Sequence, residues 1–309
     1  MANTVIKGEV TKELEGRIDL MVRSLLDLPR SKLTALFEHG CVTLNQTLCD
    51  NPATRVGAGD RIVVSYDPNQ GYSGKKRPWS DRTFAIIHED DQMLVVNKAA
   101  GVLTVPTNKE EPNTLLERIS SYLSRKKKNH EAFLIHRLDR GMSGVMVFGK
   151  TPSAARHLRN QFDHDQAKRV VVAIVDGVME EDTGTFDSHL DTHNNLSRYS
   201  TSEQGKGQHA VTNFKVTKRM VDATAVELNL VTARRHQARV QLFESGHHVL
   251  GDTRYRKGRS GHERWDKKRL AMHCTQLTFV HPETGKEVRY TSELPISMRK
   301  FIRSGKKAD

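Results

Sequence analysis

The residue types best suited to chemistry lie together in residues 135–150, which read IHRLDRGMSGVMVFGK. A His-Arg-Leu-Asp tetrad is followed there by a turn rich in glycine and serine and then by a hydrophobic strand. Asp139 therefore lies at the edge of a strand, where the backbone leaves a side chain accessible. An accessible carboxylate can act as a nucleophile or as a base, or it can cap the turn through its own oxygens. The segment alone leaves these two roles open.

The chain lacks the common motifs for phosphate, dinucleotide and metal binding. It contains no GxxxxGK[ST] loop, no GxGxxG after a strand and no HExxH helix. The adjacent His247 and His248 could in principle bind a metal together with Asp252, but adjacent histidines on a strand or turn usually point apart. The three cysteines form no CxxC pair, so neither a zinc site nor a disulfide framework is indicated. We expect no metal and no cofactor.

The elements that must position Asp139 divide into two regions. Between residues 16 and 65, apolar side chains at helical spacing, a proline stop and two strand-like pieces predict a small independent unit. The stretch DPNQGYSGKKRPWSD that follows is rich in glycine, proline, serine and charge, which is typical of a linker. We expect a first domain over residues 1–68, a linker over 69–81 and a second domain over 82–309.

Strand and helix patterns alternate through the second region. Two apolar runs on either side of an Asp-Asp turn predict a hairpin over residues 84–97. Thr114 and Glu117 have the spacing of a capping box, and the pair Thr151-Pro152 is typical of the start of a further helix. These patterns predict an α+β fold with a largely antiparallel or mixed central sheet and flanking helices.

The positive charge of the chain is concentrated in the second region. The 309 residues carry a net charge of +12, but residues 1–68 carry −1 and residues 69–309 carry +13. Basic runs at 75–77, 125–128 and 254–269 favour nucleic acid as a partner over an anionic membrane surface or simple solubility. No apolar stretch approaches the ~20 residues that a membrane helix needs, and the N-terminus lacks the apolar core of a signal peptide. We expect a cytoplasmic protein without a membrane anchor.

Five motifs then point to one family. The segment around Asp139 closely resembles the HRLDxxTSG signature of RNA pseudouridine synthases of the large-subunit ribosomal (RluA-like) type. Four more segments resemble motifs of that family in the family's order: VVNKAAG at 95–101 (NKPAG), TARRHQARV at 232–240 (TGRTHQIRV), GHHVLGDTRY at 246–255 (GHPILGDxxY) and RLAMH at 269–273 (RLALH). The resemblance implies the pseudouridine synthase fold for the second domain.

The N-terminal region resembles a second known module. Residues 1–65 are similar to the alpha-L RNA-binding domain, which is named after the fourth small-subunit ribosomal protein. The match rests on RID at 17–19, the pair Ser31-Lys32, GCVTLN at 40–45 and GDRI at 59–62. This resemblance implies a small RNA-binding domain ahead of the catalytic one.

The family resemblance implies an isomerisation that needs no cofactor. The N-glycosidic bond of a uridine breaks, the uracil turns, and its carbon 5 bonds to the anomeric carbon. By the motif match, Asp139 is the carboxylate that attacks the sugar, takes a proton from it or stabilises positive charge on it. Arg239 would pair with this carboxylate and hold it ionised and oriented. Arg137 would fill the space left by the target nucleotide when it flips out of the stack.

Further residues join the RNA-binding and base-flipping set by their motif positions. Lys98 and Arg234 are expected to position the site or to contact phosphate, and His136 is expected to be a structural hydrogen-bonding group. Arg239 and Arg137 also have simpler alternative roles. Arg239 could be an exposed helix residue, and Arg137 could be a plain phosphate contact.

One departure from the family pattern concerns the pocket itself. The family's strand KRYLALVxG aligns with RVVVAIVDG at residues 169–177, and the tyrosine that stacks on the uracil and is placed for proton transfer falls on Val171. Valine offers an apolar contact but neither a hydroxyl nor a π-face. Met142, Ala99 and Ala238 also replace motif residues. These changes raise the alternative of a catalytically reduced or inactive RNA-binding or ribosome-assembly factor on the same scaffold.

The leading hypothesis is an RNA pseudouridine synthase that acts on structured RNA by base flipping. Ribosomal RNA is the expected substrate, ahead of tRNA, and a monomer is the expected state. Retention of Asp139 and Arg239 favours an active enzyme, whereas Val171 favours the binding factor.

Overall fold

The computed structural model describes residues 3–26, 28–72, 81–107, 109–126, 131–256, 262–265 and 269–306. The chain divides into two compact units, Met1–Ser80 and Asp81–Asp309. Residues 73–80 of the stretch that we interpret as a linker lie outside the described residues, and so do the basic run at 75–77 and parts of the other two basic runs.

The N-terminal unit combines two short helices with a four-stranded antiparallel sheet. Its elements are β1 (Thr4–Glu9), β2 (Gly16–Arg17), α1 (Ile18–Leu25), α2 (Arg30–Glu38), β3 (Val42–Leu44), β4 (Thr47–Leu48), β5 (Arg55–Val56) and β6 (Arg61–Tyr66). The sheet has the order β1-β6-β3-β4, and β2 pairs with β5. Helix α1 buries Ile18, Met21 and Val22, whose helical spacing places them on one face. They pack with Phe37 and Ile62 in a core of the unit's own.

The C-terminal unit is built on an eleven-stranded sheet. Its elements are β7 (Phe84–Glu89), β8 (Met93–Lys98), α3 (Leu115–Lys126), β9 (Phe133–Leu134), β10 (Ser143–Gly149), α4 (Pro152–Asp163), β11 (Lys168–Asp176), β12 (Thr183–Thr192), β13 (Arg198–Thr201), β14 (Gln208–Met220), β15 (Ala223–Leu230), α5 (Gln237–Glu244), β16 (Met272–Val280), β17 (Glu287–Thr291) and α6 (Ile296–Ser304). The strand order is β13-β12-β14-β15-β11-β16-β10-β8-β7, with β17 beside β16 and β9 beside β10. The predicted α+β fold with a largely antiparallel, mixed sheet is confirmed.

Two helix starts that the sequence predicts in the second region are formed, whereas Ser31, which the sequence suggests as the N-cap of α2, lies inside that helix, whose N-cap is Pro29. The Thr114 backbone N–H donates to Glu117 Oε2 at 3.1 Å, and the Glu117 N–H donates to Thr114 Oγ1 at 3.4 Å, which completes the capping box of α3. The Thr151 hydroxyl caps α4 by accepting from the Ala154 N–H at 3.1 Å, and Pro152 occupies the first helical position. Strands β12 and β13 and helix α6 have no counterpart in the predicted elements.

A parallel contact at the centre of the sheet positions the loop that carries Asp139. Strand β10 pairs parallel with β16 at Ser143 and Gly144, whereas the other strand pairs of the described sheet are antiparallel. Gly144 has a φ of +127°, and a side chain there would overlap the backbone of Cys274. Because only glycine permits this approach, the strand that follows the Asp139 loop lies directly against the middle of the sheet.

Candidate active site

One buried lysine holds the backbone of the Asp139 loop through hydrogen bonds to its carbonyl oxygens. Lys98 Nζ donates to the carbonyl oxygens of Met142 at 2.8 Å, Ala99 at 3.0 Å and Asp139 at 3.3 Å. Burial lowers the pKa of Lys98 to about 7, although the nearby Asp139 raises it in part. Lys98 therefore holds the backbone on both sides of Asp139 in a fixed position.

The Asp139 carboxylate binds an arginine rather than capping the turn. Arg239 Nη1 donates to Asp139 Oδ2 at 2.6 Å across 100 residues of sequence. The rest of the same guanidinium forms a bidentate pair with Asp252, from Nε at 2.7 Å and Nη2 at 2.9 Å. Such a fork fixes the plane of the guanidinium as well as its position. Asp139 is therefore the outer member of a chain of ion pairs.

The inner carboxylate of this chain is fully buried and fully bonded. Asp252 has no exposed surface and also accepts from the backbone N–H groups of Arg254 at 2.9 Å and Tyr255 at 3.1 Å. Burial by itself raises the pKa of Asp252, but the hydrogen bonds and charge of Arg239 outweigh it and hold this pKa below its usual value. Burial also lowers the pKa of Arg239, and its two carboxylate partners more than reverse that effect. Both groups stay charged at neutral pH.

A histidine faces the other oxygen of Asp139. His236 Nε2 lies 3.8 Å from Asp139 Oδ1, and His236 Nδ1 lies 2.8 Å from the Tyr255 hydroxyl. That hydroxyl accepts from the Arg198 backbone N–H at 2.8 Å, so its own proton is available for Nδ1. This arrangement favours the tautomer with the proton on Nε2, which faces Asp139. Burial lowers the pKa of His236 to about 4, so the ring is neutral at pH 7.

Asp139 lies where two cavities meet. The first has a volume of about 260 Å³, and its wall is largely apolar, with Ile135, Met142, Phe162, Val171, Leu230, Met272 and Cys274. The polar part of the wall contains Arg137, Arg169, Arg234, the neutral His236, Asp139 and Asp163. The second has a volume of about 860 Å³ and a basic lining that includes Arg137, Arg140, Arg235, Arg254, Arg256 and Arg269. A flat uncharged ring suits the first cavity, and a phosphate backbone suits the second.

Comparison with known proteins identifies the family. Residues 92–244 match the family model for RNA pseudouridylate synthase, and residues 17–62 match the S4 domain. The ribosomal large subunit pseudouridine synthase D of Zymomonas mobilis is 31% identical over 309 residues, which cover 94% of each chain. The enzyme of the same name from Neisseria meningitidis serogroup B is 31% identical over 91% of this chain and 76% of its own. The chain belongs to the RNA pseudouridylate synthase family.

A solved structure supports the same fold. The human RNA pseudouridylate synthase domain containing 4 superimposes with a TM-score of 0.59, at 21% identity, over 69% of this chain and 90% of its own. The chain is an RNA-modifying isomerase with an N-terminal S4 domain, and the comparisons contain nothing that favours the binding-factor alternative. No helix of the described segments is long and apolar enough to cross a membrane.

The structure of this pseudouridine synthase brings most of the predicted site residues around one cavity. Arg137 is exposed and lines both cavities. Arg234 lines the first cavity, and its Nη2 is paired with Asp165 at 3.0 Å. Val171 is 1% exposed and forms part of the cavity wall, at a bulge in the pairing of β11 with β16. The position of the family's tyrosine therefore faces the pocket in this enzyme, but with an apolar side chain.

Two of the predicted residues belong to the support and the wall of the cavity: Lys98 lies too deep to touch a phosphate, and His136 is half-buried in the wall. Lys98 has no exposed surface. Of its two predicted roles, positioning the site and contacting phosphate, only positioning fits this burial. His136 stacks on Phe162 with ring centroids 4.6 Å apart, and its Nε2 accepts from the Val147 N–H at 3.2 Å. Burial holds the pKa of His136 well below its usual value, so the ring is a neutral part of the wall.

The sequence motifs contain two site residues to which we assigned no catalytic part. Asp252 and Tyr255 both lie in the GHHVLGDTRY motif, Asp252 considered only as a weak metal ligand. In the fold, both oxygens of Asp252 are bonded to Arg239, and Tyr255 contacts His236. Their position in a family motif was the feature of the sequence that could have identified Asp252 and Tyr255. Residue spacing alone does not reveal that their partners lie on another element.

Proposed function

We propose that this enzyme converts uridine to pseudouridine in the RNA of the large ribosomal subunit, with Asp139 as the active-site carboxylate. The observation that carries the proposal is the placement of one accessible carboxylate between a base-sized cavity and a basic cavity, held by Arg239 at 2.6 Å. The substrate class follows from the relatives in Zymomonas mobilis and Neisseria meningitidis, whose names state that they act on the large subunit. Transfer RNA is the second candidate substrate.

Each site residue has a part in this reaction. A uridine in a stacked helix hides its glycosidic bond, so the nucleotide must flip into the first cavity. The exposed Arg137 guanidinium, at the mouth shared by both cavities, fills the gap that the base leaves. Asp139 then acts on the sugar as a nucleophile or as a base, while Arg239 keeps it oriented. Lys98 and Arg234 position the surrounding backbone, and His136 and Val171 form the apolar wall.

The N-terminal unit supplies a second contact with RNA in this proposal. The S4 match covers residues 17–62, and the proposed domains remain 1–68 for RNA binding and 82–309 for catalysis, joined at 69–81. Because residues 1–68 have a net charge of −1, this domain adds shape recognition rather than bulk electrostatic attraction. The enzyme works as a monomer in the cytoplasm, without a metal.

Mapping of pseudouridine in cellular RNA tests the proposal directly. We expect at least one pseudouridine of large-subunit RNA to be absent from a strain that lacks this gene and to return when the wild-type gene is restored. Asp139→Asn should fail to restore it, because an amide is neither a nucleophile nor a base for this reaction. The purified Asn variant should bind the same RNA within a few-fold of wild type, since phosphate contacts carry most of the affinity. A normal modification level with Asp139→Asn would contradict the assignment.

A further inference from the structure

The first cavity contains a partly buried cation that forms no direct ion pair with any described residue. Arg169 lies on β11 two residues before Val171, and both side chains line the cavity. Arg169 Nε is buried and has no hydrogen-bond partner, and Nη2 makes one long bond of 3.5 Å to the Phe162 carbonyl. Within the described part of the chain, no carboxylate oxygen lies within 4.0 Å of its guanidinium nitrogens. This contrasts with Arg239, which shares two carboxylates.

The groups around Arg169 in the described part of the chain form no direct ion pair with it. Its guanidinium lies over the Phe162 ring, 4.8 Å from the centroid. The nearby Asp165 is already paired with Arg234 at 3.0 Å. Asp163 lines the same cavity but is exposed, and both carboxylates favour the charged form of Arg169 only from a distance. Burial raises the pKa of the Cys274 thiol to about 12, so this neighbour is neutral. Burial lowers the pKa of Arg169, but a guanidinium keeps its proton at neutral pH.

The valine at position 171 provides no partner for this cation. The side chains of Val171 and Arg169 both line the first cavity, although the bulge between Val170 and Val171 interrupts the regular alternation of the strand. Valine carries no hydrogen-bond acceptor, so nothing at position 171 satisfies the N–H groups of the guanidinium. A partly buried charge without an ion-pair partner costs folding free energy. Such a cost is typical of functional sites, where a bound ligand supplies the missing partner.

We infer that Arg169 binds a carbonyl oxygen of the flipped uracil and stabilises the negative charge of the base when its glycosidic bond breaks. This inference rests on the function proposed above and names a further catalytic residue for it. The guanidinium has N–H groups in a planar fork, which suits an oxygen of a uracil ring. Donors that face a site where charge develops are among the largest contributions to catalysis.

The bond changes assign opposite tasks to the two sides of the cavity. The bond between N1 and C1′ breaks, and both electrons stay on the uracil, where N1, O2 and O4 share the negative charge. The Asp139 carboxylate meets the electron deficiency at C1′, either by bonding to it or by removing the proton on C2′, which is later returned. Carbon 5 then bonds to C1′, and where the carboxylate had bonded to C1′ that bond breaks and its electrons return to Asp139. The proton of carbon 5 leaves to water, and N1 takes a proton from water. No oxidant or reductant is needed.

Three variants separate this role from a structural one. The substrate is total RNA labelled with [5-³H]uridine from a strain lacking the gene, because formation of pseudouridine releases the tritium. We expect Arg169→Met to lower the single-turnover rate about 100-fold, with the RNA dissociation constant within threefold of wild type. Arg169→Lys keeps the charge and should lose less than tenfold. Lys168→Met removes an exposed charge from the preceding residue, which lies 3.5 Å from Glu287, and should leave the rate unchanged.

The melting temperature distinguishes a catalytic arginine from a structural one, because replacing a structural arginine would lower it. Methionine suits the apolar surroundings of Phe162 and removes an unpaired charge, so Arg169→Met should melt at or above the wild-type temperature. A Met variant that melts several degrees lower or does not fold would assign Arg169 to the structure and overturn the inference. A folded Met variant with a rate within threefold of wild type would overturn it too.

The leaving group offers a direct chemical test. Fluorine at carbon 5 withdraws electrons and stabilises the uracil anion, so cleavage should then depend less on Arg169. With RNA containing 5-fluorouridine, we expect the loss of glycosidic-bond cleavage in Arg169→Met to be at least tenfold smaller than with uridine. Equal losses on both substrates would overturn the inference while leaving the proposed function intact. No tritium release by the wild-type enzyme would instead overturn the proposed function, and this inference with it.

Discussion

At the scale of single residues, the site depends on how its carboxylates are held. Asp139 is part-exposed at the cavity and has one arginine partner, whereas Asp252 is buried and accepts four hydrogen bonds. Asp252 therefore anchors Arg239, and Arg239 in turn orients Asp139. Asp139 can face a substrate because the deeper carboxylate of Asp252 makes most of the hydrogen bonds that hold Arg239 in place.

The anchoring role of Asp252 predicts a loss of both stability and activity in Asp252→Asn. Removing one partner of a buried ion pair leaves the other charge uncompensated, so we expect the free energy of unfolding to fall by about 3 kcal/mol. The rate of pseudouridine formation should fall as well, because Arg239 then loses its bidentate support. Urea unfolding and single-turnover assays measure the two effects.

A surface pair supplies the control for this variant. Asp182 pairs with Arg219 at 2.6 Å, but its side chain is 83% exposed. Asp182→Asn should therefore cost under about 1 kcal/mol and leave the rate unchanged. If Asp252→Asn behaved like this control in both assays, Asp252 would have no anchoring role.

At the scale of elements, the site depends on the parallel pairing of β10 with β16. That pairing places the Asp139 loop beside the strand that carries Cys274 and next to β11, so that three elements share one cavity. Arg239 lies in the first turn of helix α5, which begins directly after His236. His236 adopts a left-handed conformation with φ of 57°. The helix start therefore determines where Arg239 and His236 meet Asp139.

The close approach of these two strands predicts a severe effect of Gly144→Ala. The new methyl group would overlap the Cys274 backbone, and the positive φ is unfavourable for alanine. We expect a loss of roughly 3 kcal/mol or more in the free energy of unfolding, measured by urea titration. Gly57→Ala is the matched control, because no atom lies within 4 Å of its added methyl group. Equal stability of the two variants would show that the strands can separate without cost.

At the scale of the whole molecule, buried neutral histidines make stability depend on pH. Burial lowers the pKa of His273 and of His236 to about 4, and it holds the pKa of His136 well below its usual value. The unfolded chain protonates its histidines near pH 6.5, whereas the folded chain does not bind these protons until about pH 4. The unfolded state therefore gains protons first as the pH falls, and stability falls with it.

We expect the free energy of unfolding to decrease between pH 7 and pH 5, by up to about 1.4 kcal/mol per pH unit for each such histidine. Carboxylates with lowered pKa values, such as Asp90 at about 2, act below this range. His273→Gln should make the dependence shallower, whatever it does to stability at pH 7. Unfolding in urea at several pH values measures the slope, and an unchanged slope in the variant would contradict the explanation.

The charge of +13 on residues 69–309 predicts that RNA binding weakens steeply with salt. If ~5 phosphates are neutralised, the logarithm of the association constant should fall against the logarithm of the salt concentration with a slope of roughly −3.5 to −4.5. Filter binding of the labelled RNA at several potassium chloride concentrations measures it. A flat response would show that the basic residues are solvated surface rather than phosphate contacts.

The sequence by itself determined the family, the α+β class, the helix starts of α3 and α4, and the identity of Asp139 and Arg239 as partners. These features depend on local spacing or on motifs that survive in short segments. Strands β12 and β13 escaped prediction because they are half-exposed, so their alternation contains many polar residues. Helix α6 also escaped prediction, although its buried Met298 and Phe301 lie on one face of the helix.

Only the tertiary structure decided which groups share the cavity and which lack partners. Asp252 and Arg239 are 13 residues apart, and Arg239 and Asp139 are 100 apart, so the chain of ion pairs exists only after β10, β16 and α5 have packed. The same packing leaves Arg169 without a carboxylate beside Val171. Whether a charge is paired depends on distances between elements, and strand register and helix packing fix those distances, not the order of residues along the chain.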